Sequence, residues 1–415
     1  MIVEHIILAL VLILGLSLIA QPVSRLLHMP FASILVLLGF ITSEIVVYAG
    51  VDTGIRSDNF QSIIFYVFIP VLVFESAYNI DKSQLKKNLV VILFLAIVAM
   101  LLTCLIVAAL LFYGIGHESG FPWAAALITG AILAATDPVA VVAKLRETDA
   151  PERVSVLLEG ESLFNDATAI VLFGLFLSMA TATAGVGSAG DMHSIAGVIV
   201  RFVTIFAGGA LTGLIVGLFF GFLQKKVKQN LLTGVMSLMV AYGSYLLAEY
   251  FKVSGVMSTL LAALSFSMLS HSAVKSSAKS SESDMANKYL WDVLSHVANV
   301  SVFLVVGAVI TLEMFEQRWL AMLIAIFSLL LARAISVYGV LSLFSFFKDL
   351  KVSFSAQTVM VWAGLRGAVT LALALSLPTS LDYWWTIQSI AFGVVMFSLF
   401  VQAPTMQLLV KRLSL

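Results

Sequence analysis

Residues 121–145 read FPWAAALITGAILAATDPVAVVAKL. The run is long enough to cross about 30 Å of hydrocarbon, yet Thr136-Asp137-Pro138 stands near its middle. Proline has no N–H to give and disfavours helix at the residue before it, so the helix is predicted to break there. A carboxylate at membrane depth costs from about 3 to more than 10 kcal/mol. Non-helical backbone at that depth survives only where it is buried in protein or lines a cavity. The break frees carbonyls able to ligate a cation and exposes a half-helix end beside the acid. This one stretch predicts a helical membrane protein with a polar site inside it.

Composition extends that reading to the whole chain. Of 415 residues, 61% are hydrophobic and 11% charged, with a mean hydropathy of +1.07. A soluble domain averages about half apolar and about a quarter charged. A soluble globule, a disordered chain and a collagen-like fibre are thereby excluded. Lys+Arg (23) balance Asp+Glu (23), which suggests no nucleic-acid partner. The single cysteine, Cys104, permits no internal disulfide and no cysteine metal cluster. Apolar runs fall at roughly 2–20, 31–49, 61–80, 88–114, 121–145, 154–180, 194–223, 231–250, 253–270, 289–311, 318–347, 353–377 and 384–410. They predict an all-α polytopic fold of about thirteen helices, since a barrel would show short alternating segments. The first run carries Glu4 and no basic residue ahead of it, so it reads as a membrane helix and not a signal peptide.

The connections divide by charge. One alternate set holds Arg25, Lys82, Lys86, Lys87, Lys144, Arg146, Arg153, Lys225, Lys226, Lys228, Lys275, Lys279, Lys288, Lys348, Lys351, Lys411 and Arg412, which is 17 of the 23 basic residues. The other set holds Arg56, Lys252 and Arg318, with Arg201 near its edge. Positive-inside bias places the first set in the cytoplasm, with the N-terminus outside and the C-terminus inside, as an odd helix count requires. No soluble domain is expected, and the polar, Ser- and Lys-rich stretch 271–288 reads as a cytoplasmic loop. If the seventh span (194–223) is a linker, residues 1–180 and 231–411 form two six-helix units of opposite orientation. The stripe Gly209, Gly213, Gly217 and Gly221 in that span reads as close helix packing. The six histidines, all but His296 at or near span ends, read as solvated.

Six charges remain in the hydrocarbon: Glu75, Asp137, Glu161, Asp166, Arg333 and Arg366. A lone ion pair would be enough to hold a bundle together, so the set points to function. In the sixth span, Ser162 and Asp166 are four apart and share a helix face, while Glu161 and Asn165 lie about 100° round. One face offers a hydroxyl and a carboxylate, hard oxygen ligands suited to Na+ or Li+. The other offers an acid that needs a basic partner. In the twelfth span, Gly364-Leu365-Arg366-Gly367-Ala368 suggests a second loosened helix. Two interrupted spans at corresponding places point to an inverted-repeat transporter with its site between them.

Ala135-Thr136-Asp137-Pro138-Val139-Ala140-Val141, Glu159-Gly160-Glu161-Ser162-Leu163-Phe164-Asn165-Asp166-Ala167 and Gly364-Leu365-Arg366-Gly367-Ala368 together resemble the monovalent cation:proton antiporters of the NhaP/NHE branch. Phe74-Glu75, Val253-Ser254-Gly255 and Ala332-Arg333-Ala334 extend the resemblance along the whole membrane domain. It implies a mobile core domain, a dimerisation domain and a homodimer joined partly through the first helix. It implies Asp166 as the ion- and proton-binding carboxylate, with Thr136, Asp137 and Ser162 helping to form the Na+ site and Glu75 nearby, acting through water. It implies that Glu161 pairs with Arg333. It implies that Asn165 belongs to the Asn-Asp pair of electroneutral members, whereas electrogenic relatives carry Asp-Asp and a lysine in the second repeat. No cofactor is implied beyond the transported cation and proton. A role in pH homeostasis in a prokaryotic inner membrane follows from the same resemblance. The long cytoplasmic tail of the animal members is missing, so their mode of regulation is not carried over.

The residues support an exchange mechanism. Burial disfavours a bare carboxylate, and either a proton or a Na+ relieves that cost at Asp166. Rocking of one bundle against the other would alternate access and exchange one Na+ for one H+. Arg366 is placed to orient the second broken helix. A cation channel would use the same acids without proton competition. An intramembrane aspartyl protease, an enzyme, would want Gly-x-Gly-Asp, which is absent. A scaffold would not explain two interrupted helices. A potassium-preferring antiporter of the same fold is the main alternative.

Overall fold

The computed structural model describes residues 2–27, 29–48, 62–115, 121–147, 151–183, 195–226, 230–274, 278–347 and 350–413. Among them there is helix and no strand. Lipid offers backbone groups no partner, and a helix satisfies its own. The helices are α1 (Ile2–Leu27), α2 (Phe31–Tyr48), α3 (Ile64–Asn79), α4 (Lys82–Gly114), α5a (Trp123–Ala134), α5b (Val139–Glu147) and α6 (Glu152–Thr183). They continue as α7 (Ile195–Gln224), α8 (Asn230–Tyr250), α9 (Gly255–Val274), α10 (Ala278–Val309), α11 (Leu312–Leu343), α12a (Phe354–Trp362), α12b (Ala368–Leu375) and α13 (Trp384–Arg412). Every apolar run read from the sequence falls on one of them. Among the described residues, eight stretches are long and apolar enough to cross a membrane, and shorter apolar helices lie in α1, α2, α3 and α9.

The helices sort into two groups by what they touch. α4, α5, α6, α11, α12 and α13 pack on one another. Met100, Ala131, Ala169, Leu329, Leu373 and Ile390, one from each of the six, share a single apolar core. The second group is α1, α2, α3 and α7 to α10, in which α7 lies along α9 and α2 along α10. The groups meet where α6 touches α3, α7 and α9, and where α12b touches α10. A Cβ on Gly39 or Gly307 would strike the backbone of the facing helix, so α2 and α10 cross there at glycine distance. The glycine stripe of α7 serves the same end, since side chains at Gly209, Gly213 and Gly217 would strike Ser254, Ser258, Ala262 and Ser265. α7 is thus packed closely on α9.

Two irregular places lie beside prolines, whereas the π turn Phe94–Ala99 in α4 has none near it. α3 opens with a π turn, Ile64–Phe68, just ahead of Pro70, and α13 holds another, Ser398–Gln402, ahead of Pro404. A proline withdraws one donor from the ladder, and a widened turn absorbs the misfit. One expectation differs in extent. Helical backbone occupies 278–288, where the sequence suggested a loop, and residues 275–277 lie outside the described residues. Lys and Ser are tolerable helix formers, so polarity alone did not forbid helix there. Arg56, Lys228, Lys275, Lys348, His28, His117 and His193 also lie outside the described residues.

Candidate ion-binding site

Two helix breaks face each other inside the first group. α5 loses helical geometry over residues 135–138 and α12 over 364–367. The backbone N–H of Asp137 donates to Leu365 O at 2.8 Å, which joins the two breaks directly. Broken helices leave orphan carbonyls at one end and orphan N–H groups at the other, and this crossing satisfies both with charge. Arg366, fully buried, donates from Nη1 to Ala134 O at 2.8 Å and also to Ala135 O, at the C-terminal end of α5a. The Asp137 carboxylate accepts from the Val139 N–H at 3.1 Å and from the Ala368 N–H, the first residues of α5b and α12b. Cations belong at helix C-termini and anions at N-termini. Each break therefore supplies the charged group that caps the other.

The glycines of α12 lie in the interrupted stretch 364–367, as the sequence suggests, and they have a further reason. A Cβ on Gly367 would overlap the Asp137 carboxyl group, and one on Gly364 would stand 2.9 Å from Arg333 Nε. Both glycines are spaces through which a neighbouring charged side chain passes.

α6 crosses behind the first break. Ser162 Oγ donates to Thr136 O at 2.6 Å. Asn165 Nδ2 donates to Ala134 O and to Thr136 Oγ1, both at 3.1 Å. Thr370 Oγ1 lies 3.5 Å from Ala135 O. The carbonyls that the break was expected to free are thus taken by protein donors, because an unpaired buried carbonyl is costly. Asn165 shares a face with Glu161 by spacing, yet its amide reaches round to the break, where donors are needed. Thr370 was missed. Its only signal is a hydroxyl one turn after Arg366 in an otherwise apolar run.

Asp166 differs from these neighbours. Thr136, Ser162 and Asn165 are buried, whereas Asp166 is partly exposed. The charges of Asp137 and Arg366 both act on it, yet it receives no hydrogen bond among the described residues. On the next face of α6, Glu161 forms an ion pair with Arg333 of α11, and both are almost fully buried. Arg333 Nη2 also donates to Met360 O at 3.2 Å. Thr136, Asp137, Pro138, Ser162, Asn165, Asp166 and Arg366 thus converge on one crossing, with Glu161 and Arg333 beside it. Glu75 stands apart. It is held on α3 by its own helix, accepting from Asn79 Nδ2 at 2.7 Å and Ser76 Oγ at 3.5 Å, and the charges that act on it are Asp292 and Glu159. The crossing therefore offers one carboxylate with open coordination, a hydroxyl one turn away, and neighbouring charges that each have at least one partner.

A family model described as sodium/hydrogen exchanger, transmembrane, matches residues 7–412. The Na(+)/H(+) antiporter ApNhaP of Aphanothece halophytica is 33% identical over 413 residues, covering 99% of this chain and 75% of its own. The Na(+)/H(+) antiporter NhaH of Halobacillus dabanensis is 29% identical over 412 residues, 97% of each chain. Among solved structures, the sodium proton antiporter MjNhaP1 from Methanocaldococcus jannaschii shares this fold with a TM-score of 0.75 at 24% identity, covering 97% of this chain and 100% of that one.

Proposed function

The chain belongs to the sodium/hydrogen exchanger family, and from that premise we propose that it is a multi-pass membrane antiporter exchanging Na+ for H+ through Asp166. Relatives named as Na+/H+ antiporters support the exchange. The observation that carries the residue assignment is the unmatched state of Asp166 beside matched neighbours. Asp137 is occupied by two helix N-termini, Arg366 by two carbonyls and Glu161 by Arg333. Asp166 has only the charges of Asp137 and Arg366 near it, which oppose one another. A proton or a Na+ completes it.

Ser162 fits the second position of an ion cage. Its hydroxyl proton goes to Thr136 O, and its remaining lone pairs stay free for a cation. Thr136 and Asp137 border the same space, and Asp137 keeps its capping role throughout. The ion and the proton compete, because either neutralises Asp166 and both together overfill it. A neutral site crosses the apolar barrier more cheaply than a bare carboxylate. The group α4–α6 and α11–α13 rocks against the other helices, and one Na+ exchanges for one H+. Asn165 is neutral, so the site holds one exchangeable charge and transport is electroneutral. A homodimer joined through the second group, in a prokaryotic inner membrane with the N-terminus outside, completes the proposal.

The test is transport in proteoliposomes carrying a pH gradient and a fluorescent pH dye, with Na+, Li+ and K+ added in turn. Cation-triggered proton movement that ignores a clamped membrane potential supports one-for-one exchange, and the order of ions sets selectivity. Apparent KM for Na+ falls as pH rises, since fewer sites hold the competing proton. Movement that follows the potential overturns the stoichiometry. A response to K+ alone replaces Na+ as substrate. Cation flux without proton movement makes the protein a channel.

A further inference from the structure

Glu75 lies off the crossing, so something other than the two breaks must set where its carboxylate points. α3 does not set it by regular helix. The π turn and Pro70 interrupt it, and an eleven-residue segment, Ile69–Asn79, carries Glu75 before the backbone turns extended at Ile80. So short a segment takes its rotation from what packs against it. Successive residues stand 100° apart on a helix, so a small rotation at Phe74 swings Glu75.

Phe74 is fully buried, and its ring stacks on Trp291 of α10 with centroids 4.2 Å apart at 29°. Trp291 is itself fully buried. Its Nε1–H donates to Ser237 Oγ of α8 at 3.0 Å. Ser237 Oγ lies 2.8 Å from Gly234 O and 3.0 Å from Asn287 Oδ1, which fixes the serine in turn. Beyond Phe74 the stack continues to Tyr78 at 5.8 Å, and Tyr78 packs on Phe266 of α9. At the π turn, the Tyr242 hydroxyl of α8 donates to Val67 O at 3.2 Å. Asp292, the residue after Trp291, is one of the two charges acting on Glu75. α8, α9 and α10 thus grip α3 at three heights, and none of them belongs to the group that carries Asp166.

The geometry points to Trp291 as a positioning residue that presents Glu75 to the incoming cation and so sets apparent cation affinity. The inference rests on Glu75 serving the cation through water from beside the ion site, the place that the family resemblance implies for it. An aliphatic side chain would fill the same core volume. An indole pinned at its N–H and stacked on its face also specifies direction.

The experiment is Na+-dependent exchange in proteoliposomes for the wild type, Trp291→Phe, Trp291→Leu, Glu75→Gln and the double variant Trp291→Leu/Glu75→Gln, with thermal stability measured for each. Trp291→Leu raises the apparent KM for Na+ about two- to tenfold, the size of one lost aromatic stack, and leaves kcat little changed. Trp291→Phe keeps a ring against Phe74 and stays nearer the wild type. In the Glu75→Gln background the leucine adds nothing, because the group it positions is gone. An equal KM rise with and without the Glu75 carboxylate overturns the inference, as does a fall in kcat at unchanged KM. An unchanged KM in Glu75→Gln alone overturns the reading of Glu75 and the inference with it, which is a separate signature. Should Trp291→Leu not fold, Ser237→Ala removes the anchor and keeps the ring. It must then show a smaller KM rise that Glu75→Gln abolishes, and no such rise overturns the inference.

Discussion

Glu161 and Asp166 stand on one helix, carry the same charge and meet different fates. Glu161 is buried against Arg333, while Asp166 is partly exposed and receives no hydrogen bond. The first is a closed account in which desolvation is met by an opposite charge. The second is open and takes a mobile partner. A carboxylate at membrane depth is therefore not a functional mark by itself. The mark is a carboxylate that its neighbours leave unmatched although donors for it stand close by, committed elsewhere.

Substitutions test that contrast. Asp166→Asn keeps the size of the side chain and removes the exchangeable charge. It should abolish exchange, a fall of at least about hundredfold, with the thermal transition in detergent nearly unchanged. Retained exchange would erase the distinction between the two acids. Arg333→Ala should act the other way. Stranding Glu161 should cost about 3–5 kcal/mol of stability, read as a lowered denaturation midpoint. Pairing Glu161→Leu with Arg333→Met should recover most of it with exchange intact. Transport lost at full stability would assign the pair to the working site.

Gly367→Ala places a methyl against the Asp137 carboxyl. It should cost about 1–3 kcal/mol, as overpacking does, and lower exchange by disturbing both capped helix ends. The smallest effect is expected at Ser162→Ala, which removes one neutral ligand. Apparent KM for Na+ should rise about fivefold, in proportion to about 1 kcal/mol, while the Glu161–Arg333 pair stays in place. A large stability loss there would show that the hydroxyl serves the break at Thr136 more than the ion.

The helices were legible because hydrocarbon imposes length and hydropathy on every span. Both interruptions were legible too, one from Pro138 and one from glycines flanking Arg366. What each charge would meet was not. Arg366 caps carbonyls more than two hundred residues earlier in the chain, and no local pattern encodes that pairing. Gly364 and Gly367 were visible as glycines, but their purpose is room for Arg333 and Asp137, which only packing reveals. Glu75 shows the converse limit. Its depth marked it, yet depth says nothing of distance to Asp166. The π turn ahead of Pro70 that isolates its segment came from the same proline chemistry, read in the fifth span and overlooked in the third.

The mutual capping of the two breaks has a consequence for how the protein is made. The donor that closes the carbonyl end of α5a sits 232 residues downstream. During synthesis α5 must enter the bilayer and hold that end with the donors of α6 alone, Asn165 among them, while the helices up to α11 are threaded. The crossing is thus completed only when α12 arrives. A ribosome-bound chain halted before Arg366 would hold every ligand of the first half and still lack a finished crossing.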